Sequence, residues 1–255
     1  MVPILTTEGI VKQFGAFRAL DGVDVAVERG RVTLIIGPNG SGKTTLVNVI
    51  TGVYKPEAGK VVYVKADGKA INITGWPPHR IFEIGIVRTF QIPQVFQKLT
   101  VLENLMAVAR GQRGEAVVSA MLRNWVKEEE ELAKKAFKIL KAVRLDNKWD
   151  TPAYFLSAGE MKLLELARAL MAGADLIILD EPIAGVPVDQ AHGVFKIVRE
   201  INQQGITFLV IEHRIDIAFK YVDYVYAMAS GKIIAQGLPE QVANDPKVRE
   251  VYIGG

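Results

Sequence analysis

A chain of 255 residues, 49% hydrophobic and 23% charged, is long enough to bury a core without covalent staples. It has no cysteine, which excludes a disulfide framework, a thiolate metal site and a cysteine nucleophile, and points to the cytoplasm. The formal charge of +3 comes from interspersed basic and acidic residues with no basic stripe, so nucleic acid is not implied as a partner.

The start, Met1 to Glu8, has neither the basic leader nor the apolar core of a signal peptide. No apolar run approaches the roughly 18 residues of a membrane span, so a membrane, if one is involved, is supplied by another chain. Leu5 to Lys12, Val23 to Glu28, Val32 to Ile36 and Lys60 to Val64 read as short strands, with turns at Asp21-Gly22, Arg29-Gly30 and Ala58-Gly59.

Between the strand Val32 to Ile36 and a helix-like run, Leu46 to Ile50, stands Gly37-Pro38-Asn39-Gly40-Ser41-Gly42-Lys43-Thr44, which is G-x-x-x-x-G-K-T. Its glycines let the backbone aim N–H groups at a polyphosphate, and the helix that starts there adds its positive dipole end. Lys43 is placed to bridge the β- and γ-phosphates and the Thr44 hydroxyl to ligate Mg²⁺. The chain is therefore expected to bind a nucleoside triphosphate, with the helix ending at Gly52 as a left-handed cap.

From about 95 to 155 the period becomes helical. Leu102 to Arg110 reads as one helix and Glu115 to Val143 as one or two, with Val118, Met121, Leu122, Trp125, Leu132, Ala136, Ile139 and Leu140 as the apolar stripe and the charges Lys127 to Lys135 as a solvated face. After 156 helix and strand alternate, as an α/β sheet requires, and Ile206 to Ile211 is apolar enough for a strand covered on both faces. A hairpin around Ser230-Gly231 and a short helix near Pro239 to Ala243 complete the tail.

Leu176-Ile177-Ile178-Leu179-Asp180-Glu181 is a buried strand ending in two carboxylates; beside a phosphate loop, Asp180 is placed to hold Mg²⁺ and Glu181 to orient an attacking water. Ser157 and Glu160 form a capping box ahead of the helix Met161 to Met171, which needs no function beyond stability. With a free hydroxyl and a small Ala-Gly pair, the same helix start also reads as a second anion site.

In this order and at these spacings the motifs resemble the ATPase subunits of ATP-binding-cassette (ABC) transporters over nearly the whole chain. Gly37 to Thr44 is similar to the Walker A loop, Gln91 to the Q-loop glutamine, Leu156 to Glu160 to the L-S-G-G-Q signature, Leu176 to Asp180 to Walker B, Glu181 to the catalytic carboxylate and His213 to the switch histidine. The resemblance implies an α/β P-loop NTPase cassette with a RecA-like core, an antiparallel β subdomain and a helical subdomain. Residues 1–91 and 156–255 would form the nucleotide-binding core with its β subdomain, and 92–155 the helical subdomain.

It also implies ATP and Mg²⁺. Phe14 would stack on adenine; Gly37, Pro38, Asn39, Gly40, Ser41, Gly42, Lys43, Thr44 and Thr45 would hold the phosphates; Ser157, Gly159 and Glu160 would meet the γ-phosphate of a second copy; and Thr44, Gln91 and Asp180 would serve the metal. Glu181, His213 and Gln91 would carry hydrolysis. His79 and His192 match no motif and read as surface residues. Two departures stand out: the signature has Ala158 and Glu160 for glycine and glutamine, and Pro187 stands where many members have an aspartate that contacts the opposite subunit.

The stretches Arg88 to Gln91, Leu99 to Asn104, Glu181 to Val186 and Asp245 to Gly254 are most similar to branched-chain amino-acid importers. The implied protein powers solute import through transmembrane permease subunits at the cytoplasmic face of the membrane. It would dimerise with ATP, with itself or with a paralogous ATPase, and serve a solute-binding protein indirectly. The alternative is a soluble cassette ATPase outside transport; the short helical insert and single cassette argue against its DNA-repair and translational forms.

Overall fold

In the computed structural model, which describes residues 3–109 and 125–253, the chain divides into two compact units. The first comprises Met1–Arg88, Asp175–Pro182 and Val198–Gly255; the second Thr89–Ala174 and Ile183–Ile197.

The first unit holds two sheets. One is antiparallel, in the order β2-β1-β4-β5, built from β1 (Pro3–Phe14), β2 (Phe17–Glu28), β4 (Ala58–Val64) and β5 (Ala70–Asn72). The other runs β10-β9-β3-β8-β7-β6, from β3 (Val32–Ile36), β6 (Ile86–Arg88), β7 (Leu176–Asp180), β8 (Thr207–Ile211), β9 (Tyr224–Ala229) and β10 (Lys232–Gly237), with only β10 antiparallel to its neighbour. β3, β7 and β8 are buried along their whole length, which is why they read as unbroken apolar runs. One core joins side chains of both sheets to the helix Lys43–Ile50, among them Leu20, Val25, Leu46, Ile50, Tyr63, Ile178, Leu209 and Ile211.

The first two strands are longer than the sequence suggests, and Asp21-Gly22 is not a turn between them. It lies inside β2, where Ile10 pairs with Val23 but Val11 with Asp21. Gly22 is the extra residue of a bulge and takes φ +73°, so a turn-forming pair is used to bend a strand. The reversal itself lies at Gly15-Ala16.

In the second unit the helices Val101–Met106, Trp125–Ala142 and Ala158–Met171 pack on one another. Val101, Leu105, Ala136, Leu140 and Leu164 are buried. The first helix is shorter than expected at its C-terminal end; Arg110, Val118, Met121 and Leu122 lie outside the described residues. Thr100 and Glu103 cap that helix reciprocally, and the fully buried Asn104 holds the turn before it by bonding both the N–H and the carbonyl of Phe96. No helix among the described residues is long and apolar enough to cross a membrane.

Candidate active site

Parallel strands in adjacent positions deliver their C-terminal loops to one edge of the sheet, and the order β3-β8-β7 does this for the phosphate loop, His213 and Asp180-Glu181. The helix Lys43–Ile50 begins at Gly42 with no side-chain cap and no acid in its first turn. The helices starting after Thr100 and Ser157 are capped by side chains, whereas the phosphate-loop helix leaves its first N–H groups and dipole to an anion. Gly42 takes φ +105°, and a Cβ at Gly37 would stand 2.3 Å from the Met228 carbonyl, so the loop's path demands glycine at both.

Lys43 is 7% exposed and donates to the carbonyls of Gly37 at 2.8 Å and Pro38 at 2.9 Å. Burial pushes its ammonium pKa down, while the charges of Glu181 and Asp180 work against that shift. The cation is thus gathered under the loop, near both acids. On the helix Pro246–Ile253, burial drives the Tyr252 phenol up to about 12.

Glu181 follows β7 with φ +49°, a conformation costly for a residue with a side chain, and its N–H donates to Ile211 at 2.9 Å. Its Oε1 lies 3.8 Å from His213 Nδ1. His213 is half exposed, whereas Glu212 is fully buried and accepts from the N–H groups of His213 and Arg214. Asp180 is 5% exposed and pairs through Oδ2 with Arg88 Nη2 at 2.6 Å. Sequence reasoning quoted Arg88 only within a motif; no local pattern links residues 92 positions apart.

For Mg²⁺, the exposed Thr44 and the Oδ1 of Asp180 are hard oxygen donors of the kind the ion takes beside phosphate oxygens. Among the described residues no cluster of three or more His, Cys, Asp or Glu side chains offers a metal cage.

Phe14, at the end of β1, is 43% exposed, makes an edge contact with Tyr54 at 5.2 Å and has Lys12 Nζ over its ring at 5.2 Å. Phe14, Gly37 to Thr45, Asp180, Glu181 and His213 all belong to the first unit. Gln91, Ser157, Gly159 and Glu160 belong to the second unit.

There the Ser157 hydroxyl is not free, contrary to expectation. It accepts from the Glu160 N–H and donates to Glu160 Oε2 at 3.0 Å, while Glu160 Oε1 takes Lys148 Nζ at 2.6 Å. Burial works to raise the Glu160 pKa, but the bonds from Lys148 and Ser157 hold it below its ordinary value, so the carboxylate at this helix start is charged and already answered by a cation. Of the unassigned histidines, His79 is exposed and His192 half-buried.

A family model described as ABC transporter matches residues 20–184, and one described as branched-chain amino acid ATP-binding cassette transporter matches residues 232–255. The chain is 49% identical over 251 residues, 98% of its length and 95% of the relative's, to the "Probable branched-chain amino acid transport ATP-binding protein LivG" of Archaeoglobus fulgidus. It is 31% identical over 99% of its length and 98% of the relative's to the Escherichia coli protein named "High-affinity branched-chain amino acid transport ATP-binding protein LivG". A crystal structure of a nucleotide-free ATP-binding cassette from an ABC transporter superposes with a TM-score of 0.84 at 48% identity, covering 100% of both chains, and a structure of an ADP conformation matches equally well.

Proposed function

This chain belongs to the ABC transporter family and is an ATP-hydrolysing cassette; from that premise we propose that it is the energy-coupling subunit of a branched-chain amino acid importer, working through membrane permeases. The named relatives and the matched C-terminal segment support the solute class. The observation that carries the enzymatic half is the uncapped helix start at Gly42, with Lys43 beneath it and Asp180, Glu181 and His213 delivered to the same sheet edge.

In this reading the loop N–H groups and Lys43 bind the β- and γ-phosphates and Phe14 stacks on the adenine. Thr44 and Asp180 hold Mg²⁺, with Gln91 serving the ion or its water; the bound ion would neutralise charge on the phosphate oxygens. Glu181 accepts a proton from the attacking water as His213 fixes the carboxylate and donates to the γ-phosphate.

The helix start of Ser157, Gly159 and Glu160 is assigned to the γ-phosphate held by a second copy or a paralogue, which makes ATP the glue of the dimer. Residues 1–91 with 156–255 act as the nucleotide core and 92–155 as the helical subdomain that addresses the permease. The place of work is the cytoplasmic membrane face, with a solute-binding protein served indirectly.

The test is Glu181→Gln, which keeps shape and removes the base. ATP binding should persist while turnover falls by at least about 10², the loss typical of a missing general base. Turnover within twofold of the parent would take Glu181 out of that role.

A further inference from the structure

Arg88 ends β6 two residues short of Gln91's neighbour Phe90, and β6 lies beside β7 with Arg88 in register with Ile178, two residues before Asp180. Its guanidinium reaches in different directions, with Nη2 donating to Asp180 Oδ2 at 2.6 Å and Nη1 to Asn48 Oδ1 at 2.5 Å. Asn48 sits on the helix Lys43–Ile50, so one planar cation ties the strand carrying Asp180 to the helix carrying Lys43. The Arg88 and Asp180 side chains are only 10% and 8% exposed.

A buried ion pair of this kind adds little net stability, because desolvating two charges offsets most of their attraction. Apolar side chains fill every other position of β7, and they would serve packing equally well here. What the pair supplies is direction. Arg88 commits Oδ2, and among the described residues no hydrogen bond reaches Oδ1. It also supplies a cation besides Lys43, whose ammonium feels the Asp180 charge and is assigned above to phosphate.

We infer that Arg88 is a positioning residue for Asp180, holding Oδ2 so that Oδ1 faces the metal and its water, and keeping the carboxylate from capturing Lys43. The inference rests on the proposed role of Asp180. A planar fork is required because one side chain must reach Asn48 and Asp180 together, which a lysine ammonium on a flexible stem does less well.

The experiment uses the full chain and a fluorescent ATP analogue, titrated first in EDTA and then with Mg²⁺, and bound Mn²⁺ is counted by electron paramagnetic resonance. Arg88→Met should bind the analogue in EDTA within about twofold of the parent. Its half-saturating Mg²⁺ should rise about tenfold, the lower end of what loss of an outer-shell partner costs a metal site. Arg88→Lys should raise it about threefold, and serves alone if the Met variant does not fold. In an Asp180→Asn background, Arg88→Met should change nothing further, since Arg88 acts through Asp180.

A parental Mg²⁺ requirement in either Arg88 variant overturns the inference. So does an equal loss in the Asp180→Asn background, which marks a general structural role. If Asp180→Asn itself leaves the Mg²⁺ requirement unchanged, the assignment of Asp180 fails first and takes this inference with it.

Discussion

At Gly52 the backbone takes φ +74°, and a Cβ there would stand 2.0 Å from the Trp76 carbonyl. At Gly68 φ is +82°, yet nothing lies within 4 Å of the added atom. The pair separates two costs that a glycine can hide. Gly68→Ala should cost only the left-handed conformation, about 1 kcal/mol, whereas Gly52→Ala must also displace backbone and should cost about 3 kcal/mol or more. Urea midpoints of the two variants check the difference; equal losses would mean the clash at Gly52 is relieved elsewhere. Asp223 offers a second residue-scale test. Burial would raise its pKa, but the two-pronged bond from Arg199, at 2.7 and 2.8 Å, and the Val32 N–H at 2.8 Å outweigh burial and hold it below 3.8. A depressed carboxylate contributes stability that is complete above 3.8 and is lost as pH falls through its folded value. Asp223→Asn should therefore lie below the parent in urea midpoint at pH 7, with the gap closing in more acid solution. A gap that stays constant down to pH about 3 would show that the charge contributes nothing.

The helix Ala158–Met171 illustrates what an element does beyond its own hydrogen bonds. One face carries Lys162, Glu165 and Arg168, three and six residues apart, and all three grip the chain between Phe90 and Phe96. Lys162 donates to the carbonyls of Phe90 at 2.9 Å and Gln91 at 2.5 Å; Glu165 accepts from the Gln94 N–H at 2.8 Å; Arg168 donates to the Gln94 carbonyl and lies over the Phe96 ring. Lys162 is 7% exposed and Glu165 6%. The loop has no sheet or helix of its own to satisfy its backbone, so these side chains do it instead. Lys162→Met removes a donor to two carbonyls and should speed amide hydrogen exchange across 90–96 by about tenfold or more, while exchange in β3 and β7 stays put. Unchanged exchange across 90–96 would mean that Lys162 is not what orders it. The sequence analysis did not single out these three charges, because nothing local pairs residue 91 with residue 162.

For the whole molecule, the apolar side chains left uncovered on that loop bear on assembly. Phe90, Ile92 and Phe96 are 45%, 74% and 51% exposed, whereas Val95 is half-buried, so the outward face of the loop is Phe90, Ile92 and Phe96. Exposed apolar side chains close together mark a binding surface. With the permease as partner, Ile92→Asp combined with Phe96→Asp should leave basal ATP hydrolysis within about twofold and abolish co-purification with the membrane subunits. Normal assembly of the double variant would move the docking surface elsewhere. The phosphate loop, the strand ending in Asp180-Glu181, the capping box and the helical change of period were all legible in the sequence, since each is a contiguous pattern governed by local geometry: glycine conformations, a five-residue buried strand, a helix start, a 3.6-residue period. Their order and spacing carried the family resemblance, and the cassette fold was what that resemblance implied. What only the tertiary structure decided is which groups meet: Arg88 with Asp180 and Asn48, Lys148 with Glu160, and the bulge that puts Asp21-Gly22 inside a strand. Those contacts depend on strand order and helix packing, which bring together residues from distant parts of the chain, and a charge or hydroxyl looks the same in sequence whether it ends in solvent or against a buried partner.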